Sequence, residues 1–346
     1  MGILQDMVFR QQKKPKIGFV VPELGDYYTV MPSVRLRALD IIRNLRKKGV
    51  YAEIFNPDYQ YEIVIFVKSF AEKDYQLASE LKNKGTIVVL DINVNYIEIY
   101  GDIDNYGTDE GGKPIKYVND YQQAAMQKFI GQVDYIITSS EFLKQIYQKY
   151  HPHVICIEEN ISDEFFKVCK QHQPLPTINL VYCGFSKKAS EIYLIKNVLI
   201  ELKKHYSIRL LLITDEEIHL EIIEEEWIKY NQKKLPYLLL KGDIKIAPRR
   251  TDNSYNLGHS FTKVGYPMAV GLPVVASPVP SYFNRNVQIC HTDQEWFNQL
   301  SLLIADHHYR NLLGRQGRAL VRSLFSEQVI SSQYLELIQY LITQKK

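Results

Sequence analysis

Little in this sequence announces a specialised class, and each absence narrows the field. The net charge is only +3 over 346 residues, so the strong basic field that gathers nucleic acid is missing. No stretch reaches the roughly 18 apolar residues of a membrane-spanning helix. The four cysteines, Cys156, Cys169, Cys183 and Cys290, have neither paired metal spacing nor a disulfide framework. They read as buried small hydrophobes in a reducing compartment. No D-x-D motif follows a strand pattern, and the nine histidines form no group at strand ends, so no metal is expected. Short repeats and low-complexity tracts are absent too. The opening MGILQDMVFRQQKKPK lacks an apolar run of signal-peptide length, and Asp6 stands where a myristoylation motif needs Ser or Thr. The expectation is a solvated terminus on a cytoplasmic protein, with a short arm peripheral to a membrane as the alternative.

What is present is an ordinary globular balance in a chain comfortable for two domains. Short β-branched runs predict strands over 16–21, 51–55, 62–67, 86–91, 135–138 and 154–157. Amphipathic segments between them predict helices, the first with Val34, Ala38, Ile41, Ile42 and Leu45 on one stripe. Ser33 is placed to cap that helix and Gly49 to stop it. The rhythm restarts after the polar stretch 158–176, with strands expected over 178–183, 208–214, 237–241, 244–247 and 273–277. Helices are expected near 184–204 and over 218–230, the latter an acidic outer helix carrying Trp227. Strand–helix alternation implies βαβ units and parallel sheets. The predicted class is α/β, with two doubly wound Rossmann-like domains, residues 1–165 and 166–325, facing across a cleft. A last helix within 326–346 is expected to cross back to the first domain.

The most informative stretch is 242–282, GDIKIAPRRTDNSYNLGHSFTKVGYPMAVGLPVVASPVPSY. A strand ends at Pro248, a polar loop follows, and Ser260 is placed to cap a helix that Gly271 ends. A helix start at the C-terminal edge of a parallel sheet offers backbone N–H groups and a positive dipole end. Such a seat suits a diphosphate, and Lys263 in the first turn adds a full charge.

The strings D-I-x-I-A-P, then a loop with Asn256, then S-x-x-K and M-A-x-G-x-P-V-V-A-S resemble the donor segment of family 4-type glycosyltransferases. The resemblance implies the GT-B fold, a nucleotide-diphosphate sugar as co-substrate, retention of configuration and no metal. It places donor contacts on Asn256, His259, Ser260, Phe261, Thr262, Lys263 and Tyr266. Tyr266 stands where the family usually has a glutamate on the ribose hydroxyls, and Gly258 where many members carry another. A tyrosine hydroxyl cannot replace a carboxylate that accepts two hydrogen bonds from a diol. A degenerate, non-catalytic sugar-nucleotide-binding relative is therefore the alternative function.

A second segment, VYCGFSKKASE at 181–191, resembles the family's first strand-to-helix loop in the donor domain. Gly184 permits close backbone approach, and Phe185, Lys187 and Lys188 border it. Lys188 matches the family's phosphate-contacting position, and Lys188 and Lys263 are the expected catalytic cations. A solvated lysine pair is the competing view of 187–188. Arg249, followed by Arg250, either lines the cleft or faces solvent. On the acceptor side, Gly25 and Asp26 follow the first strand, and Ser33, Arg35 and Arg37 match an S-x-R-x-R string that family members often carry. Lys68 and Asp91 follow later strands toward the same edge. The acceptor is left open between a saccharide, a lipid-linked saccharide and a protein. An epimerase on the same fold would need clustered cleft carboxylates and histidines, which the sequence does not group.

Overall fold

The computed structural model describes residues 15–101 and 118–344. Residues 1–14, most of the candidate membrane arm, lie outside the described residues. The first six strands, β1 (Lys16–Val20), β2 (Tyr51–Ile54), β3 (Ile63–Val67), β4 (Ile87–Ile92), β5 (Tyr135–Thr138) and β6 (Val154–Cys156), form one sheet in the order β2-β1-β3-β4-β5-β6. The second sheet holds β7 (Ile178–Cys183), β8 (Ile208–Thr214), β9 (Glu225–Lys229), β10 (Ile244–Ala247), β11 (Val274–Ala276) and β12 (Gln288–Ile289), in the order β12-β11-β10-β7-β8-β9. Every pairing is parallel. Parallel strands need crossovers, and the helices that supply them cover both faces. Central strands such as β3, IVIFV, are consequently buried at every position.

The first helical run, α1, spans 32–47 and contains a π-helical stretch, Arg35–Leu39, between α-helical Pro32–Val34 and Asp40–Lys47. The remaining helices of the first domain are α2 (Glu72–Asn83), α3 (Asp120–Ile130) and α4 (Glu141–Tyr147). The second half carries α5 (Lys196–His205), α6 (Leu235–Leu239), α7 (Ser254–Leu257), α8 (Thr262–Ala269), α9 (Asp293–Ala305) and α10 (His307–Phe325). The chain ends in α11 (Glu327–Gln344), whose Ile330, Tyr334, Leu337, Ile338 and Leu341 sit in one core with Ile17, Phe19 and Ile65 of the first sheet. At its start, the Glu327 carboxylate accepts from Arg43 and Asn44.

Several local expectations are corrected. Residues 218–230 hold no helix; β9 runs through them as an edge strand, with Glu225, Glu226, Trp227 and Ile228 half-buried. A sheet edge tolerates charge, and the Trp227 indole donates to the Thr214 hydroxyl at 2.9 Å. The expected strand at 237–241 is occupied by α6 instead, with Pro236 in its first turn and Leu235 and Leu239 buried one turn apart. Pro is tolerated at that position because its missing N–H has no helical partner to lose. Ser33 does not cap α1: Met31 holds the cap position, and the Ser33 hydroxyl is buried without a partner. Ser260 likewise lies outside the cap, which falls on Phe261. Gly49 and Gly271 do end their helices, at φ of 82° and 86°, a region glycine enters without a Cβ clash.

Candidate functional site

The two sheets turn the C-terminal ends of their strands toward one cleft of about 540 Å³. It is lined by Lys68 after β3, Asn93 after β4, Cys183 and Gly184 at the end of β7, Asp215 after β8 and Tyr230 after β9. The chain leaves β7 for β8 on one side and returns to β10 on the other. Open parallel sheets bind ligands outside such a reversal of strand order, because the loops diverge there.

The C-terminal wall is a cluster of cations. Lys188 is buried on the 3-10 turn after β7, and its ammonium donates to the Tyr255 hydroxyl at 2.9 Å, 3.4 Å from His259 Nε2. Lys263, in the first turn of α8, lies over the Phe185 ring with its Nζ 5.6 Å from the centroid. Lys245 on β10 is 2% exposed behind this wall and has no carboxylate within ion-pair distance among the described residues. Its Nζ is 5.0 Å from the Tyr182 ring centroid. Burial, then the neighbouring Arg249 charge, pulls Lys263 down to about 8. Burial, with Arg249 and Lys263, pulls Lys245 down to about 7. Lys188 falls well below the usual lysine range through burial and the Arg249 and Lys263 charges. His259 is pushed down by burial and by Lys188, Arg249 and Lys263. Burial is the first cause of all four shifts, and repulsion within the cluster adds to it. The chemistry of the wall fits a multiply charged anion.

Among the described residues, the carboxylates lining the cleft are Glu159 and Asp215, and both are engaged. Asp215 accepts from the Ser186 backbone N–H at 2.7 Å, which anchors the turn carrying Lys188. Glu159, on the segment that joins the domains, accepts from the Ser260 hydroxyl at 2.5 Å and the Thr262 hydroxyl at 2.8 Å. Its other oxygen accepts from Asn93 at 2.9 Å. The start of α8 therefore already holds one carboxylate, and Ser260 points at the cleft by way of Glu159 rather than by capping. Glu159, Lys245, Tyr230 and Tyr255 were not singled out by sequence reasoning. Lys245 was hidden inside a strand pattern, although a lysine amid I-x-I-A was itself the available signal.

At the end of the cleft near β9, Tyr266 stacks on Phe165 with centroids 4.4 Å apart and planes at 14°. Arg35 crosses from the first domain to the Tyr230 hydroxyl and faces Tyr266. Burial pushes the Tyr266 phenol up, against the pull of Arg35. Leu235 and Leu239 of α6 line the same end, giving it an apolar, aromatic character.

Of the other sequence candidates, Gly184, Phe185, Gly258, His259, Thr262, Arg35 and Lys68 also line the cleft. Lys187 is exposed and does not. Arg249 and Asn256 stand behind the wall, both bound to Glu191: Arg249 through a short ion pair, Asn256 Nδ2 at 2.9 Å. Phe261 is turned into the core against Phe325, with centroids 4.5 Å apart. Gly25 and Asp26 are exposed on a turn that Asp26 itself stabilises by accepting from the Tyr28 N–H at 2.9 Å. Arg37 and Asp91 are a buried pair at 2.7 Å, completed by the Tyr334 hydroxyl of α11 at 2.5 Å from Asp91. Those two tie the last helix to the first sheet and do not reach the cleft.

No family model matches the chain, and no curated protein matches its sequence. Solved structures do match in shape. Sucrose-phosphate synthase from Thermosynechococcus elongatus superposes with a TM-score of 0.66 at 12% identity, over 95% of this chain and 100% of that one. A glycosyltransferase from Rickettsia africae gives 0.62 at 14%, over 96% and 99%. Anabaena HepE, solved in complex with UDP-glucose, gives 0.58 at 10%, over 94% and 99%. The likeness shows the fold: two doubly wound domains facing across a cleft, the GT-B architecture.

Proposed function

We propose that the protein transfers a glycosyl unit from a nucleotide-diphosphate sugar to an acceptor, with retention and without a metal ion. The observation that carries this is the cation cluster of Lys188, Lys245 and Lys263 at the reversal of strand order, with engaged carboxylates around it. The donor's diphosphate lies against Lys188 and Lys263, and its nucleoside against the aromatic end at Tyr230 and Tyr266. The bond from the anomeric carbon to the diphosphate oxygen breaks, and its electron pair stays on the diphosphate. The acceptor oxygen bonds to that carbon, and its proton leaves to the departing oxygen or to water. Negative charge grows on the diphosphate as the bond lengthens, so fixed cations there stabilise the transition state more than the ground state. HepE was solved with UDP-glucose, which supports the donor class.

A second reading has its own observation. Tyr266 offers a hydroxyl where a carboxylate would accept from a diol, and Glu159 already sits at the start of α8. Both fit a non-catalytic sugar-nucleotide-binding relative. Incubation with UDP-, GDP- and dTDP-sugars, with and without saccharide acceptors, separates the two. Release of nucleoside diphosphate coupled to a new glycoside supports transfer; tight binding with no turnover under any pairing supports the second reading.

A further inference from the structure

The N-terminal wall of the cleft carries charge that the donor's diphosphate does not use. Arg35 is 5% exposed and lines the cleft; it makes no ion pair among the described residues, and Tyr266, Tyr230 and Asp40 hold its guanidinium charged against burial. Lys68 also lines the cleft and has no carboxylate within ion-pair distance among the described residues; its ammonium lies 3.9 Å from the Met31 sulfur. Burial pulls the Lys68 ammonium down, and Glu159 and Glu23 only partly oppose this. The Ser33 hydroxyl on the same wall is buried and has no hydrogen-bond partner among the described residues. A buried polar group left unmatched is costly, and the Lys68 ammonium without an ion-pair partner more so.

The backbone is bent to deliver these groups. Lys68 has φ of 53°, a strained region that long side chains rarely adopt and that persists only where the surroundings impose it. Arg35 opens the π-helical stretch of α1, a form that recurs at functional positions because it displaces side chains from the regular helical register. Met31 joins the two, since its carbonyl accepts from the Arg35 N–H at 3.1 Å while its sulfur meets Lys68.

We propose that this wall binds the acceptor through a phosphomonoester, seated between Arg35, Lys68 and the Ser33 hydroxyl. The inference deepens the glycosyl-transfer reading by naming the acceptor class, and it rests on that reading for the position of the donor. Two cations and a hydroxyl donor match the tetrahedral oxygens of a dianion better than a neutral sugar. The phosphate is borne either by a soluble saccharide or by a lipid, and the test separates these sources.

The full chain is first titrated with UDP, GDP and dTDP by calorimetry. With the best of these at saturation, glucose 6-phosphate, glucose, and vesicles containing phosphatidic acid are added in separate arms. Binding of glucose 6-phosphate at least tenfold tighter than glucose identifies a soluble phosphorylated acceptor; binding of the vesicles alone identifies a lipid-borne one. Lys68→Gln should weaken the responding arm about tenfold, and Ser33→Asp, which places a carboxylate in the seat, should abolish it. Nucleotide affinity should stay within about threefold in both variants, which also reports that they are folded. The inference is overturned if neither phosphate-bearing probe binds better than glucose. It is equally overturned if Lys68→Gln and Ser33→Asp lose nucleotide in the same proportion, because the cations then belong to the donor. Absence of nucleotide binding in the unaltered chain would instead sink the donor reading, and this one with it.

Discussion

Replacing Lys245 by methionine should make the protein more stable and a poorer nucleotide binder at once. The two side chains have similar length, so packing among the β10 neighbours is retained. What is removed is a 2% exposed amine whose affinity for a proton falls from 10.5 in the unfolded chain to about 7 in the folded one. Each pH unit of such a shift corresponds to about 1.4 kcal/mol. At pH 7 a fall of roughly 3.5 makes the native lysine cost about 4–5 kcal/mol relative to an uncharged isostere. The sign follows from proton counting. The unfolded chain binds the proton over the range from about 7 to 10.5 and the folded chain does not, so stability rises with pH through that window. The advantage of Lys245→Met should therefore be largest at or below pH 7 and fade toward pH 10.5. Urea denaturation at pH 7 and pH 10 measures it, and calorimetry with UDP should show about tenfold weaker binding in the variant. A variant no more stable than the parent at pH 7, or equally stabilised at both pH values, would refute the idea that Lys245 is desolvated without a counter-charge.

Glu159→Gln removes the carboxylate closest to the start of α8 while keeping acceptors for Ser260 and Thr262. UDP should bind several-fold tighter by calorimetry, and unchanged or weaker binding would mean that Glu159 contacts the ligand directly. Asp91→Asn leaves Arg37 buried without its charge partner, a loss of about 3–5 kcal/mol measurable by urea denaturation. Its UDP affinity should stay near the parent value, because Asp91 does not line the cleft. Lys263 and Lys245 are held at about 8 and about 7, and a bound diphosphate favours their charged forms. Binding should then take up protons and tighten as pH falls from 9 to 7; calorimetry in two buffers of different ionisation heat would read this, and a zero net proton count would contradict it.

The sheets were legible in the sequence because parallel strands buried on both faces write continuous β-branched runs, as in IVIFV of β3 and INLVYC of β7. Gly49 and Gly271 were legible for a local reason, the positive φ at a helix end. The misread segments share a different cause. EIIEEEWIK has the composition of an outer helix, yet as β9 it closes a sheet edge, where partner strand and exposure decide more than propensity. YLLLK at 237–241 reads as apolar strand until Pro236 just before it is weighed as a first-turn residue. Around the cleft, Lys188 on the 3-10 turn after β7 and Lys263 in the first turn of α8 were visible. Lys245 and Glu159 were not, one embedded in a strand and the other in a polar crossover whose role appears only when both domains meet. Arg37, in the first helical run, and Asp91, near the end of β4, looked like cleft residues because both lie toward the C-terminal edge of the first sheet; the Asp91 pairing with Tyr334 depends on a helix more than 240 residues away in sequence.

The central claim is that the cations on the C-terminal wall hold a nucleotide diphosphate. Calorimetric titration of the parent and of a Lys188→Met, Lys263→Met double variant with UDP, GDP and dTDP tests it most directly. The account predicts saturable binding of at least one nucleotide to the parent, weakened 100-fold or more in the double variant while the fold is retained. Equal affinity in the two proteins, or no binding of any nucleotide to the parent, would contradict it.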